Sequence, residues 1–356
     1  MSKGHLASPS IARKRRRVSV LIPAYNHEHY VAEAIASALA QDWPEIELLV
    51  LDDGSTDGTL DAAARAIRGE RRVRCALASQ ANAGVCVTLN RLMSAATGDI
   101  LAILNSDDRF APSRLTKIIA AAGTAPRFFG FSAVRCFESG RTDDFERFQG
   151  WYADALRMAG AVPTAGYALL LANLSISSSN FVFSRELVEK SGGFDPALPL
   201  TQDWDFILRC LPFTEPVFTP EPLLDYRVHP LNTWRNHRAT NRAQCLAVLR
   251  SYFQCKPAFE NPMAPTAGAW RRYLPMFLAM ARQPGSDDSL AHFLRQQGIA
   301  PEPVLSVPSV DNSVESAAIS SLVALAATGP CQRADPATLT ASVSERWSTT
   351  RQAFAR

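Results

Sequence analysis

Along the first hundred or so positions, apolar residues come in short unbroken runs, each stopped by a polar cluster and followed by a stretch with helical spacing. Val18-Ser-Val-Leu-Ile22 is the first run. Pro23-Ala-Tyr-Asn26 ends it, because proline cannot continue a central ladder. Val31, Ala34, Ile35, Ala38 and Leu39 then repeat at the spacing of one helix face. Ile46 to Leu51 is a second strand and Thr59 to Ile67 a second helix. Val73 to Ala78 is a third strand, followed by a helix whose Val85, Leu89, Leu92 and Met93 share a face. Ile100 to Leu104 is a fourth run, and Pro112 to Ala122 reads as helix again. Such alternation predicts an α/β fold, a Rossmann-like, mostly parallel sheet flanked by helices. Right-handed crossovers then place the carboxyl ends of these strands on one edge.

Two of the runs stop at carboxylates: Leu48 to Leu51 at Asp52-Asp-Gly-Ser-Thr-Asp57, and Ile100 to Leu104 at Asn105-Ser-Asp-Asp108. Open α/β sheets bind ligands beyond the carboxyl ends of their strands. Turn chemistry explains part of the same pattern, with Asp57 or Thr56 capping one helix and Asp107 or Asp108 preceding another. Two acid clusters on one edge repel each other unless something positive lies between them. A divalent cation, Mn2+ or Mg2+, is the natural partner, held by one or two carboxylates together with substrate phosphates. So sparse a set of protein ligands suits an ion bound with a nucleoside diphosphate.

Composition narrows the class. With 356 residues, 47% of them hydrophobic, the chain can bury one large core and an appended unit. A net charge of +3 gives no argument for nucleic acid. The basic run Arg13-Lys-Arg-Arg-Arg17 is local, and residues 1–17 read as a disordered leader, with attraction to anionic headgroups as the alternative. No apolar signal region and no run of about 18 apolar residues is present, which predicts a cytoplasmic protein, with peripheral contact at the inner membrane face left open. Seven scattered cysteines without a C-x-x-C pair read as reduced thiols.

Further along, Phe129 to Val134 is a strand, whereas Arg141 to Met158 mixes acids, arginines and aromatics without a clean period and reads as a loop region. Gly192-Gly-Phe-Asp195 is a turn, and Thr201-Gln-Asp-Trp-Asp205 opens a helix that Thr201 can cap. Residues 237–356 read as a C-terminal helical appendage, with stripes at Leu246, Leu249 and Phe253 and at Trp270, Leu274 and Phe277. An interfacial membrane helix using Trp270 to Tyr273, partner binding and homo-oligomerisation stay open for that region.

Taken in order, Pro23-Ala-Tyr-Asn26, Asp52-Asp-Gly-Ser-Thr-Asp57, Asn82-Ala-Gly84, Asn90, Gly98-Asp99 and Asn105-Ser-Asp-Asp108 resemble the inverting family 2 glycosyltransferases of the GT-A fold, over residues 18 to about 230. The resemblance implies a nucleotide-sugar-binding half over 18–115 and an acceptor-binding half over 116–236, the latter with a strand across Ser175 to Phe183. It assigns Pro23, Tyr25, Asp52 and Asp53 to base and ribose, with Asn26, Asn82, Asn105 and Ser106 in the same nucleotide-sugar site. Asp107 falls to the metal and diphosphate, and His229 lies near the diphosphate as a metal ligand, a structural histidine being the alternative. Asp203 becomes the general base, because inverting transfer needs a carboxylate to take the acceptor proton on the face opposite the leaving group. Asp205 is the weaker choice, since helical geometry points it elsewhere.

Two positions depart from the family pattern. Asn105 replaces the first acid of the Asp-x-Asp metal motif, and Gln202 replaces the glutamate beside the base. An amide oxygen can ligate but carries no charge, so strict metal dependence is in question. The processive synthases' Gln-x-x-Arg-Trp is missing, Val343 standing where glutamine belongs before Arg346-Trp347. The expected activity is therefore transfer of one sugar, from a UDP-sugar in first place, to a glycan or lipid-linked acceptor in surface polysaccharide or glycoconjugate synthesis. The rivals are a sugar nucleotidyltransferase, which needs a Gly-rich basic loop after the first strand, and a degenerate binding protein on the same fold.

Overall fold

The structure, a computed structural model, describes residues 16–138, 145–159, 162, 164–229, 232, 244–245, 247–248, 251–252 and 260–265. Most of the expected leader and C-terminal appendage, including Trp270 to Tyr273, lies outside the described residues. In chain order the elements are β1 (Val18–Ala24), α1 (Val31–Leu39), β2 (Ile46–Asp52), α2 (Thr59–Ile67), β3 (Arg74–Ser79), α3 (Val85–Ala95), β4 (Ile100–Ile103), β5 (Arg109–Phe110) and α4 (Arg114–Ala122). They continue with β6 (Phe129–Glu138), α5 (Phe145–Ala159), α6 (Ala165–Leu171), β7 (Val182–Ser184), α7 (Arg185–Ser191), α8 (Gln202–Cys210) and β8 (Val217–Val228).

One eight-stranded sheet runs in the order β3-β2-β1-β4-β7-β6-β8-β5. The first four strands are parallel, β1 pairing with both β2 and β4 and β2 with β3. Short β7 is antiparallel to β4 and to β6, whereas β6 and β8 run parallel. Period-two alternation divides the central strands between two cores. Leu21, Leu49, Leu51, Leu101 and Ile103 pack with α3, α6, α7 and α8. Val20, Ile22, Leu48, Val50, Ile100 and Ala102 pack with α1, α2 and α4 on the other face. Both faces are covered, so the central strands read as unbroken apolar runs.

Two expectations are corrected. Residues 145–159 are helix α5, because Phe148, Tyr152, Ala155 and Leu156 form a narrow apolar stripe against the core, which the mixture of charges and aromatics had obscured. The strand expected over Ser175 to Phe183 is confined to β7, since Ser177 Oγ accepts from Ser179 N (3.2 Å) and turns the chain through a 3-10 turn at Ser178–Asn180. Arg16 donates to Gly123 and Ala125 carbonyls and Arg17 to Thr97 Oγ1, tying both to the fold.

Of the region beyond 236, residues 244–245, 247–248 and 251–252 are helical and Cys245 and Val248 are buried in the core. Asn261 Nδ2 donates to Leu211 O at 2.9 Å, so this part packs against the end of α8. Cys75, Cys86, Cys136 and Cys210 are free thiols. No helix among the described residues is long and apolar enough to cross a membrane.

Candidate functional site

The loops after β1, β2 and β4 leave the sheet on the same edge and bind one another. Asn26, in the left-handed region at φ 51°, accepts from Thr56 N through Oδ1 (2.8 Å), and its own N–H donates to Ser55 Oγ (2.9 Å). Asparagine tolerates that conformation better than most residues. His27 N donates to Thr59 Oγ1 at 2.7 Å, and Asp57, which had been a possible cap, accepts from Thr59 N, Thr59 Oγ1 and Glu28 N. The first two loops are therefore one unit. Tyr25 projects from it, 46% exposed, while Pro23 beneath is buried.

Asp52 and Asp53 are both buried but face different tasks. Asp53 is consumed by the loop after β3: Oδ1 accepts from Gln80 Nε2 (2.7 Å) and Ala83 N (2.8 Å), Oδ2 from Gly84 N (2.9 Å). Asp52 Oδ2 accepts from Ser79 Oγ (2.8 Å) and Ser55 N (3.3 Å), whereas Oδ1 is buried with no partner among the described residues. A buried acceptor left over in this way is ready for a ligand's donor. Gly54 between the loops has φ +73°, and a Cβ there would meet Asn82 N at 2.8 Å. Asn82 itself is exposed at the rim.

After β4, Asn105 and Ser106 lie against two neighbours. Asn105 N donates to Ser179 Oγ (2.6 Å), Asn105 Oδ1 accepts from Ser178 Oγ (3.3 Å), and Ser106 Oγ meets His27 Nδ1 at 2.8 Å. Asp107 Oδ2 lies 3.0 Å from His229 Nε2, at the end of β8. Burial alone would raise the Asp107 carboxyl, but the His229 hydrogen bond, with smaller contributions from the nearby His27 and His229 rings, holds it below the ordinary value. Asp108 moves the other way, pushed well above it by burial and by the Asp107 charge. It accepts Arg227 N through Oδ1 (2.9 Å) and does not cap α4. Burial, more than any neighbour, lowers His27 from its ordinary value.

His27, Asp107 and His229 each offer one ligand atom, all within 4.8 Å of one another. His229 Nδ1 is buried and without a partner among the described residues, an orphan that fits a role beyond packing. Two imidazoles and a carboxylate are a suitable donor set for a divalent cation. Arg227 braces this group from behind: Nε donates to Asp107 O (2.8 Å), a second nitrogen to Glu33 (2.8 Å), and the guanidinium lies between the Tyr30 and Phe137 rings. Asn232 holds the end of β8, accepting His229 N at 2.7 Å.

Asp203 sits in the first turn of α8. Oδ2 accepts from Asn173 Nδ2 (3.0 Å) and Oδ1 from Trp204 N (2.7 Å), and burial pushes its carboxyl up to about 6. Asp205 is instead paired with Arg209 at 2.8 Å, whose guanidinium also reaches the Ser191 and Gly193 carbonyls. Thr201, expected as a possible cap, makes no capping bond through its side chain. Among the motif residues, Asn90 clamps the turn at Phe194 by two 2.8 Å bonds, and Gly98 allows a close approach to Ser19.

The structure thus brings Ser106, Asp107 and His229 together with His27, which the sequence reading passed over. Its signal was weak: a histidine following the strand-ending Pro23-Ala-Tyr-Asn26, on the edge that carries the acids. Asn173 gave no signal at all, lying in a loop thirty positions from its partner.

Residues 19–192 match the family model described as Glycosyl transferase family 2. That stretch, just under half of the chain, is similar to family 2 glycosyltransferases. The chain is 28% identical over 229 residues to an uncharacterized glycosyltransferase of Nostoc sp., covering 64% of this chain and 68% of that one. It is 37% identical over 95 residues to a chondroitin synthase of Pasteurella multocida, but over just 10% of that protein. Five further relatives are matched over 30–40% of their own length.

Solved structures show the same GT-A fold. S. aureus TarS 1-349, in complex with UDP-GlcNAc, has a TM-score of 0.54 at 15% identity, covering 88% of this chain and 91% of that one. A mannosyltransferase from Pyrobaculum calidifontis, in complex with GDP-Man and Mn2+, has a TM-score of 0.51 at 20% identity, covering 96% and 86%.

Proposed function

We propose that this glycosyltransferase moves one sugar from a nucleotide-diphospho sugar, a UDP-sugar in first place, to a hydroxyl of a glycan or lipid-linked acceptor, with inversion and with Asp203 as general base. The observation that carries the reading is Asp203 itself. A carboxyl pushed up to about 6, its two oxygens each held by one donor, combines a fixed position with a proton affinity suited to taking a hydroxyl proton near neutrality.

Other residues fit the same reading. Asp52 Oδ1 is an available acceptor for ribose or base, at the carboxyl end of β2. Tyr25, exposed at the rim, offers a ring face to the base. Asp107 and His229 would hold the cation, which when bound offsets the negative charge gathering on the departing diphosphate. The structures named above contain UDP-GlcNAc in one case and GDP-Man with Mn2+ in the other, which supports a nucleotide-sugar donor here. The nucleotide half is then 18–115 and the acceptor half 116–236, and the role in polysaccharide or glycoconjugate synthesis, at the cytoplasmic side, follows from the same reading.

Donor class is tested by thermal shift with UDP, GDP, dTDP and CDP and their sugars, each with and without Mn2+, because ligands that bind the folded state raise the melting temperature. One nucleotide is expected to stand out. Asp203→Asn is expected to lower transfer by at least about 100-fold while leaving nucleotide binding intact. Full transfer by that variant would remove Asp203 as the base, and a product retaining the donor's anomeric configuration would remove inversion.

A further inference from the structure

Asn105 stands where the family pattern has an acid, so one negative charge is missing from the cation site. The loop after β1 offers a substitute. His27 is half-buried there, its N–H fixed to Thr59 Oγ1 at 2.7 Å and its Nδ1 to Ser106 Oγ at 2.8 Å. With Nδ1 engaged, Nε2 is left to ligate; a hydrogen-bond partner on one ring nitrogen is what sets the tautomer of metal-bound histidines.

Distances favour a single ion. His229 Nε2 and Asp107 Oδ2 are 3.0 Å apart, and one ligand atom from each of the three residues lies within 4.8 Å of the others. Adjacent ligands on an ion with bonds of about 2.1 Å lie about 3 Å apart and opposed ones about 4.2 Å, so movements of roughly half an ångström bring all three onto one centre. The His27 and His229 rings already meet edge to face, with centroids 5.7 Å apart at 82°.

We propose that His27 is a third protein ligand of the cation and that the resulting two-imidazole, one-carboxylate donor set selects a first-row transition ion such as Mn2+ over Mg2+. The inference rests on the assignment of Asp107 and His229 to the metal. Its chemical basis is ligand type: imidazole suits transition ions, whereas Mg2+ prefers oxygen donors and retains its waters. His27 thus adds a nitrogen donor beside the Asp107 carboxylate without restoring the charge that Asn105 lacks, and it shifts the selectivity of the site.

The test is Mn2+ and Mg2+ binding to the full-length chain, with UDP present and absent, followed by titration calorimetry and pulsed electron paramagnetic resonance of bound Mn2+. Wild type is expected to show two coordinated imidazole nitrogens. His27→Gln is expected to show one and to lose at least about tenfold in Mn2+ affinity, with the Mg2+ affinity moving less than about threefold. His27→Ala serves as a second variant, with circular dichroism checking that both fold. Only one coupled nitrogen in wild type, or unchanged Mn2+ affinity in folded His27→Gln while Asp107→Ala abolishes binding, would overturn the role of His27 and leave the metal assignment standing. No Mn2+ binding by wild type under either condition would overturn both.

Discussion

Asn173 Nδ2 donates a 3.0 Å hydrogen bond to Asp203 Oδ2, and that contact is the last link of a chain that starts at the end of β4. Ser178 Oγ donates to Asn105 Oδ1, and two residues on Asn180 Nδ2 donates to Ser175 O at 3.1 Å. Ser175 Oγ in turn donates to Asn173 Oδ1, in a short contact. The proposed base is therefore positioned by the same 3-10 turn that holds the proposed nucleotide edge.

Asn173→Ala is expected to weaken transfer in a pH-dependent way. A hydrogen bond donated to the carboxylate favours its ionised form, so Asn173 works against the burial that raises Asp203 to about 6. Without it the carboxyl rises further, and the acidic limb of kcat/KM moves to higher pH. The loss is about tenfold at neutral pH, in line with a bond to a charged group, and larger at pH 6 than at pH 8. A uniform loss with the limb unmoved would show that Asn173 acts through structure alone.

Asp203→Asn is expected to stabilise the folded chain above pH 6. A carboxyl raised to about 6 binds more protons folded than unfolded between about pH 4 and pH 6, so its contribution to stability is fully present below that window and is lost as pH rises through it. At pH 7.5 the wild type carries the whole cost of a buried charge, about 2 kcal/mol after allowance for partial exposure. Denaturant unfolding of both proteins at pH 4 and pH 7.5 checks this: the variant gains at the higher pH, and the difference closes at the lower.

The central strands were legible because both faces of the sheet are covered, which turns each strand into an unbroken apolar run that stops where the loops begin. Asp52 and Asp53 were legible as a pair, yet their division of labour was not, because Asp53's partners are backbone N–H groups of Ala83 and Gly84, donors every residue carries. Helix α5 was hidden for a different reason. Its buried stripe is narrow, and the local charges weaken the periodicity that marks a helix. The cluster of His27, Asp107 and His229 depends on loops about eighty and two hundred positions apart meeting on one edge, as Ser106 and Asp107 do with His27 and His229. Spacing along the chain cannot carry that information.

Asp52→Asn and Asp53→Asn are expected to fail differently. Asp52 keeps one buried oxygen free, so its amide variant is expected to raise the UDP dissociation constant about tenfold or more with little change in melting temperature. Asp53 accepts three bonds from the loop after β3, and an amide turns one acceptor into a donor facing N–H groups. That variant is expected to lose about 1–3 kcal/mol of stability, with nucleotide affinity falling as a consequence. Thermal melts and calorimetry on the two proteins separate the cases, and equal melting temperatures would refute the distinction.

Arg114 is expected to be the costliest residue to truncate outside the site. It is fully buried, with burial lowering its guanidinium to about 9, and it donates to Ser132 Oγ (2.7 Å) and to Asn180 Oδ1 (2.8 Å) across the Phe110 ring. Removing it leaves Ser132 and Asn180 short of a donor and opens space beside the Phe110 ring. Arg114→Ala should cost roughly 3–5 kcal/mol, whereas Arg114→Met, which refills the volume without a charge, should cost clearly less. Because Asn180 also holds Ser175, and Ser175 holds Asn173, the alanine variant should lose transfer activity even below its melting temperature. Denaturant unfolding gives the cost, and activity measured 20 °C below each melting temperature decides the rest: full activity in folded Arg114→Ala would mean that Asn180 keeps its place without the arginine.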